Sequence, residues 1–282
     1  MDIIEVIKTG MGASIQDLGR PGWKRFGVPP SGAMDRHSAI WANRLVGNPD
    51  EFPVIELLMQ GAEFRMLATR RVAVTGAEAG AEIPTWHARL LRAGERLAFP
   101  HNRKGLWTYV AVQGGFHVPL VLGSASAYPR GGIGSILHAG EKIADGDGEE
   151  LSQVAESWTS LGEQRDFDQP PLLRVWRGPQ WDCFDAAEWR CFLEVEWEVS
   201  SRSDRVGYRL EGARMNPPMC EMCSEPQVTG SIQVPPNGQP IVTMRDGPTV
   251  GGYPKIGIVD PESLSWLAQC RPGVKFRWIE AV

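Results

Sequence analysis

Glycine and proline limit what this chain can fold into: 32 of the one and 22 of the other punctuate 282 residues. The runs between them are too short for a helical bundle and suit strands joined by turns. The expected fold class is therefore mainly β, with few short helices. Strand candidates rich in β-branched and aromatic side chains cover residues 3–8, 64–67, 71–75, 106–113, 172–177, 193–199, 241–244 and 275–279. In 193–199 the apolar Leu193, Val195, Trp197 and Val199 alternate with Glu194, Glu196 and Glu198, the period of a strand with one wet face.

Two segments carry helix punctuation instead. Over 34–46, Ile40, Trp41 and Leu45 share a face, Ser31 or Asp35 is placed to cap, and Gly47 stops the run. Further on, Asp260 caps, Pro261 takes the first helical position, Leu264, Leu267 and Ala268 form a stripe, and Pro272-Gly273 ends it. The acidic, proline-closed stretch 146–171 is the weakest in structural signal. It predicts an N-terminal β-rich subdomain over 1–150, a linker over 151–170 and a C-terminal β-rich subdomain over 171–282.

Charge and composition exclude several classes. A net charge of −5 is wrong for phosphate neutralisation, so no nucleic-acid partner is expected. No apolar run reaches the roughly 18 residues of a membrane span, and the N-terminus lacks a leader's basic and apolar regions. A cytoplasmic protein without a membrane role is expected. The five cysteines lie in the second half, with one lone Cys220-x-x-Cys223 pair, so reduced thiols and no metal site are expected. Phosphate-loop, dinucleotide and G-x-S-x-G patterns are missing.

Three glycine-rich segments concentrate polar residues. Residues 12–35 bring Asp17, Arg20, Lys24, Arg25, Ser31 and Asp35 to a helix start, where free N–H groups favour an anion; a capped helix among solvated charges reads equally well. Residues 203–212 flank Tyr208 with Arg205 and Arg209, forks suited to a carboxylate, although a structural turn uses the same residues. Residues 245–255 set Asp246, Tyr253 and Lys255 around Gly251-Gly252, a turn whose amides suit an oxyanion or simply connect a hairpin. His37 is the one histidine beside such a segment.

Taken together, these motifs resemble the allophanate hydrolase subunit 2 family, which also takes in the C subunits of biotin-dependent carboxyltransferases and of 5-oxoprolinase, and KipA-like proteins. The resemblance spans nearly the whole chain. It is carried by Ser14 to Arg20, Gly27-Val28-Pro29, Ser31 to Asp35 and Ala42 to Asn48. Further support comes from Val74 to Ala77, Val110 to Gly115, Leu122-Gly123-Ser124, Ser203 to Leu210, Ser224-Glu225-Pro226, Gly230 to Pro235 and Gly251 to Lys255. This chain departs from the family pattern at Ser124-Ala125-Ser126-Ala127 and at Pro248-Thr249-Val250, where the family has Gln-Thr-Thr.

The resemblance implies two β-rich subdomains including a cyclophilin-like β-barrel, and a carboxyltransferase partner chain of the subunit 1 type, also called B-type. It implies a component of an ATP- or biotin-linked enzyme acting on a small urea-like or lactam amide. Carboxybiotin would be supplied by a partner, or ATP used at the level of the complex, with neither held covalently by this chain. Homo-oligomerisation stays open. Asp35, Arg205, Glu225, Tyr253 and Lys255 are the expected catalytic residues, and Arg20, Ser31, Tyr208, Gln233, Asp246, Gly251 and Gly252 the expected substrate contacts. The competing reading is a non-catalytic KipA-like regulator that binds an inhibitor of a sensor kinase.

Overall fold

Strands joined by turns, paired antiparallel except for Leu173–Arg177 with Trp278–Glu280, are the main regular structure, as the glycine and proline punctuation demands. The computed structural model describes residues 1–146, 156–218 and 222–281. They form two compact units, one of Met1–Pro21 with Ser31–Phe167, the other of Gly22–Pro30 with the chain from Asp168 onward. The linker expected over 151–170 begins outside the described residues. Its described part contributes the strand Glu156–Trp158 to the first unit.

The first unit holds two sheets. One runs Arg96–Ala98, Ala62–Met66, Asp2–Thr9, Lys142–Asp145, Phe116–His117. The other runs Glu156–Trp158, His87–Leu91, Arg70–Glu78, Lys104–Val112, Val54–Leu58, Ala13–Gln16. Ile3, Ile4, Val6 and Phe64 of the first sheet share one apolar cluster with Ile15, Ile55, Val72 and Val110 of the second. Each such side chain contributes about 1.5–3 kcal/mol by leaving water. Lys104–Val112 is buried almost throughout because helix α1 (Arg36–Val46) packs on it and on Arg70–Glu78, so both of its faces are covered. The Asp35 carboxylate accepts from Ser38 N at 3.1 Å to start α1. Gly47, at φ +79°, donates to the carbonyls of Arg44 and Asn43 to end it.

In the second unit an eight-stranded sheet runs Lys275–Phe276, Trp197–Val199, Gly207–Glu211, Ile241–Thr243, Ser231–Gln233, Lys255–Val259, Leu173–Arg177, Trp278–Glu280. Its two outermost strands are separated in the chain by Arg277 alone. The sheet must therefore curl until its edges nearly meet, which gives a barrel and removes most of the exposed edge. The strand expected over 193–199 is shorter than its alternation suggests. Helix α2 (Ala186–Glu194) takes its first two residues and buries Phe192, whose carbonyl accepts from Trp197 Nε1 at 2.9 Å; only Trp197–Val199 pairs as a strand. Helix α3 (Pro261–Gln269) has the expected punctuation, Asp260 accepting from Glu262 N and Ser263 N. Among the described residues no helix is long and apolar enough to cross a membrane.

Candidate functional site

In the first unit the two stretches 14–21 and 31–35 are fixed from within. Asp17 accepts from Ser124 Oγ at 2.6 Å, Ser126 Oγ at 2.5 Å, Ala125 N at 2.7 Å and Gly19 N at 2.7 Å. The 124–127 departure from the family pattern thus binds an internal carboxylate. Arg20, 1% exposed, donates to the carbonyls of Val121 and Ser126. Ser31 is buried at φ +52°, a strained conformation for a non-glycine residue. Among the described residues its hydroxyl has no partner. Asp35 is buried and spends its carboxylate on the α1 cap, while its N–H donates to Tyr109 OH at 2.8 Å. The Tyr109 phenol in turn donates to Glu56 Oε2 at 2.9 Å, which Met34 N also reaches at 2.8 Å. Burial and then the nearby Glu56 and Asp35 charges push this phenol well above its ordinary pKa, so it stays a neutral donor.

The second unit gathers the denser group. The two-residue strands Glu225–Pro226 and Val250–Gly251 pair with each other, Glu225 opposite Gly251, as a ribbon of their own outside the barrel sheet. Lys255 opens the strand Lys255–Val259 opposite Gln233. Its side chain is 3% exposed and forms an ion pair with Glu225. Gln180 ties the pair together, donating through Nε2 to Glu225 Oε1 at 2.9 Å and accepting through Oε1 from Lys255 N at 3.1 Å. The Lys255 hydrogen bond holds the Glu225 carboxyl below its usual range, outweighing the opposing effect of burial with lesser help from Gln180. Glu225 is therefore an ionised anchor for the Lys255 charge and a poor acid.

Beside this pair, Gln233 donates to Thr243 Oγ1 at 3.2 Å. Gln227 is 0% exposed, and among the described residues neither end of its carboxamide has a partner. Lys24 donates to the Gln227 carbonyl at 2.7 Å, and burial pulls the pKa of this lysine down. Gly251 is what lets the carboxamides approach. A Cβ there would overlap Gln227 Nε2 and stand 2.9 Å from Gln233 Oε1. Gly252 and Tyr253 sit exposed at the rim.

The remaining expected residues do other work. The Arg205 fork is met by Asp246, Nε to Oδ2 at 2.8 Å and Nη2 to Oδ1 at 3.2 Å, so each neutralises the other. Tyr208 is buried and donates to the Ala268 carbonyl at 2.8 Å, which anchors α3. His37 lies against Trp86 in the first unit, Nε2 2.9 Å from the Glu163 carbonyl; burial and then Arg165 lower its pKa. A cavity of about 700 Å³ in the first unit, lined among others by Trp86, His101, Arg103, Lys104 and Arg165, includes none of the expected site residues. Glu225, Lys255, Gln233 and Gly251 come together. Gln180 and Gln227 join them without any sequence signal, because a glutamine in a loop carries no pattern. Lys24 had one signal, its place in the dense 12–35 segment.

A family model described as the carboxyltransferase domain, subdomain A and B, matches residues 26–280. The chain belongs to this carboxyltransferase-domain family. It is 32% identical to the C subunit of 5-oxoprolinase from Escherichia coli strain K12 over 99% of this chain and 91% of that one. It is 31% identical to urea amidolyase of Saccharomyces cerevisiae over 98% of this chain, but only 16% of that protein. The crystal structure of TTHA0988 superposes with a TM-score of 0.89 at 33% identity, covering 99% of this chain and 56% of that one. This carboxyltransferase domain therefore spans about half of that solved relative and a small part of urea amidolyase.

Proposed function

We propose that this chain is one component of an ATP- or biotin-linked enzyme that processes a small urea-like or lactam amide in company with a B-type partner chain. Family membership supports the reading, as does the near full-length match to the C subunit of a 5-oxoprolinase. So does the small share of urea amidolyase that the chain covers, which fits one component of a larger machine. Within the chain, the observation that carries it is a buried lysine ion-paired with a glutamate held ionised beside a glycine turn. That arrangement suits negative charge developing on an amide oxygen or on a carboxyl group in transfer, and a well-placed donor in such a site is worth roughly 3–4 kcal/mol. Tyr253 at the rim is the group placed to exchange protons with solvent.

Carboxybiotin would be supplied by the partner, or ATP used at the level of the complex, and Lys24 and Lys255 would supply positive charge to the anionic group. A cytoplasmic location goes with this reading. The test is reconstitution with candidate partner chains and measurement of ATP consumption dependent on urea, allophanate or 5-oxoproline. Omitting this chain should abolish it, and Lys255→Met should lower kcat by on the order of a hundredfold or more. Unchanged turnover without the chain would reject the proposal.

A further inference from the structure

Three glutamines surround the Lys255–Glu225 pair, and they differ in what their carboxamides do. Gln180 uses both ends within the protein. Gln233 donates to Thr243. Gln227 is held only by its backbone, its N–H donating to the Thr249 carbonyl at 2.9 Å and its carbonyl accepting from Lys24 at 2.7 Å. Its side chain is wholly buried, with Nε2 and Oε1 both lacking partners among the described residues. Leaving one such group unpaired in the interior costs about 1–3 kcal/mol. A chain that keeps two of them, side by side and next to a charged pair, has a use for them.

The position specifies the ligand. Gln227 Nε2 and Gln233 Oε1 both lie close to the one point where Gly251 lacks a side chain. A primary carboxamide presents a donor and an acceptor on the same edge, and its complement presents the same two groups on one edge. An amide does so only when cis, with N–H and C=O side by side. Lactam rings and ureas meet that condition, whereas an open-chain secondary amide is trans and pays about 2.5–4 kcal/mol to become cis.

Resting on the amide-processing reading above, we propose that Gln227 reads the substrate. Its Oε1 accepts the N–H, and its Nε2 donates to the C=O, of a cis amide in a lactam or ureido group. The side of approach is the exposed edge of the ribbon outside the barrel sheet, where Val250 is 56% exposed and Tyr253 is exposed beside it.

The test measures competitive inhibition of the reconstituted wild-type complex by 2-pyrrolidone, N-methyl-2-pyrrolidone and N-methylacetamide, and repeats it with Gln227→Met. These probes present a cis edge with both groups, a carbonyl alone, and a trans amide. Wild type should bind 2-pyrrolidone at least about tenfold more tightly than the other two, because a buried polar pair rejects ligands that leave it unmet. Gln227→Met should erase the preference while holding or raising Tm, since it removes an unpaired buried group. A wild-type complex that treats the three probes alike overturns the assignment without needing the variant. So does a Gln227→Met complex that keeps the preference, which would make the carboxamide structural or water-bound. Absence of amide-dependent turnover in the wild-type complex is a separate result, which removes the amide-processing reading and this inference with it.

Discussion

Adjacent glycines at 251 and 252 look interchangeable in the sequence, but their surroundings separate them. A Cβ at 251 would collide with Gln227 Nε2 and press on Gln233 Oε1, whereas one at 252 meets only Ser224 Oγ at 3.5 Å, an ordinary contact. Gly251→Ala should therefore lower turnover of the assembled complex by on the order of tenfold or more, the effect of pushing site groups out of register. Gly252→Ala should stay near wild type; equal losses in both would show that the turn's backbone, not the carboxamides, matters. Cys270 offers a second check at this scale. Burial pushes its thiol up to about 12, so near the ordinary thiol pKa of about 8.5 iodoacetamide should label the exposed Cys183 and Cys223 and spare Cys270 in the folded protein. Between the ordinary thiol value and about 12 the folded chain binds the Cys270 proton more tightly than the unfolded one. Stability should thus fall as pH rises through that window, by up to about 1.4 kcal/mol per pH unit, and Cys270→Ala should flatten the loss in a denaturation series. The glycine turn and Lys255 were readable as letters. Gln227 was not, because its distinction is burial without a partner, which only the fold creates.

At the scale of elements, the helix ends were the most legible features, because a cap is local chemistry. Asp260-Pro261 starts α3, and Asp35 with Gly47 bounds α1, as their letters indicate. Asp35 illustrates how one letter serves two readings. The sequence admits it as a proton-handling residue or a cap, and the geometry gives its carboxylate to Ser38. Asp35→Ala should destabilise the fold by about 1–2 kcal/mol and Asp35→Asn by much less, since asparagine caps as well as aspartate; urea denaturation distinguishes them. If both variants unfold alike, capping is not the main role of the carboxylate. The 193–199 segment was misread because alternation is only a weak sign when good helix formers precede it. Ala186, Ala187, Glu188 and Arg190 carry α2 into Glu194, and tertiary packing of Phe192 overrides the period-2 pattern.

At the scale of the molecule, the unexpected feature is that Gly22–Pro30 belongs with the chain from Asp168 onward and not with its sequence neighbours. Nothing in composition marks this excursion, because its glycines and prolines are those of any turn in this chain. The 3-10 turn Lys24–Phe26 buries no residue of its own, and of the excursion only Pro29 is buried. Lys24 donating to the Gln227 carbonyl adds a polar tether, and a hydrogen bond from a charged group is worth about 1.5–3 kcal/mol. Removing it with Lys24→Met should speed amide hydrogen exchange across 22–30 by roughly tenfold or more, while the barrel strands Ser231–Gln233 and Lys255–Val259 exchange as before. Because the same carbonyl belongs to Gln227, loosening this tether should also weaken 2-pyrrolidone inhibition of the assembled complex. Faster exchange over 22–30 with unaltered inhibition would mean that the excursion is structural only. Unaltered exchange would mean that other contacts hold it in place.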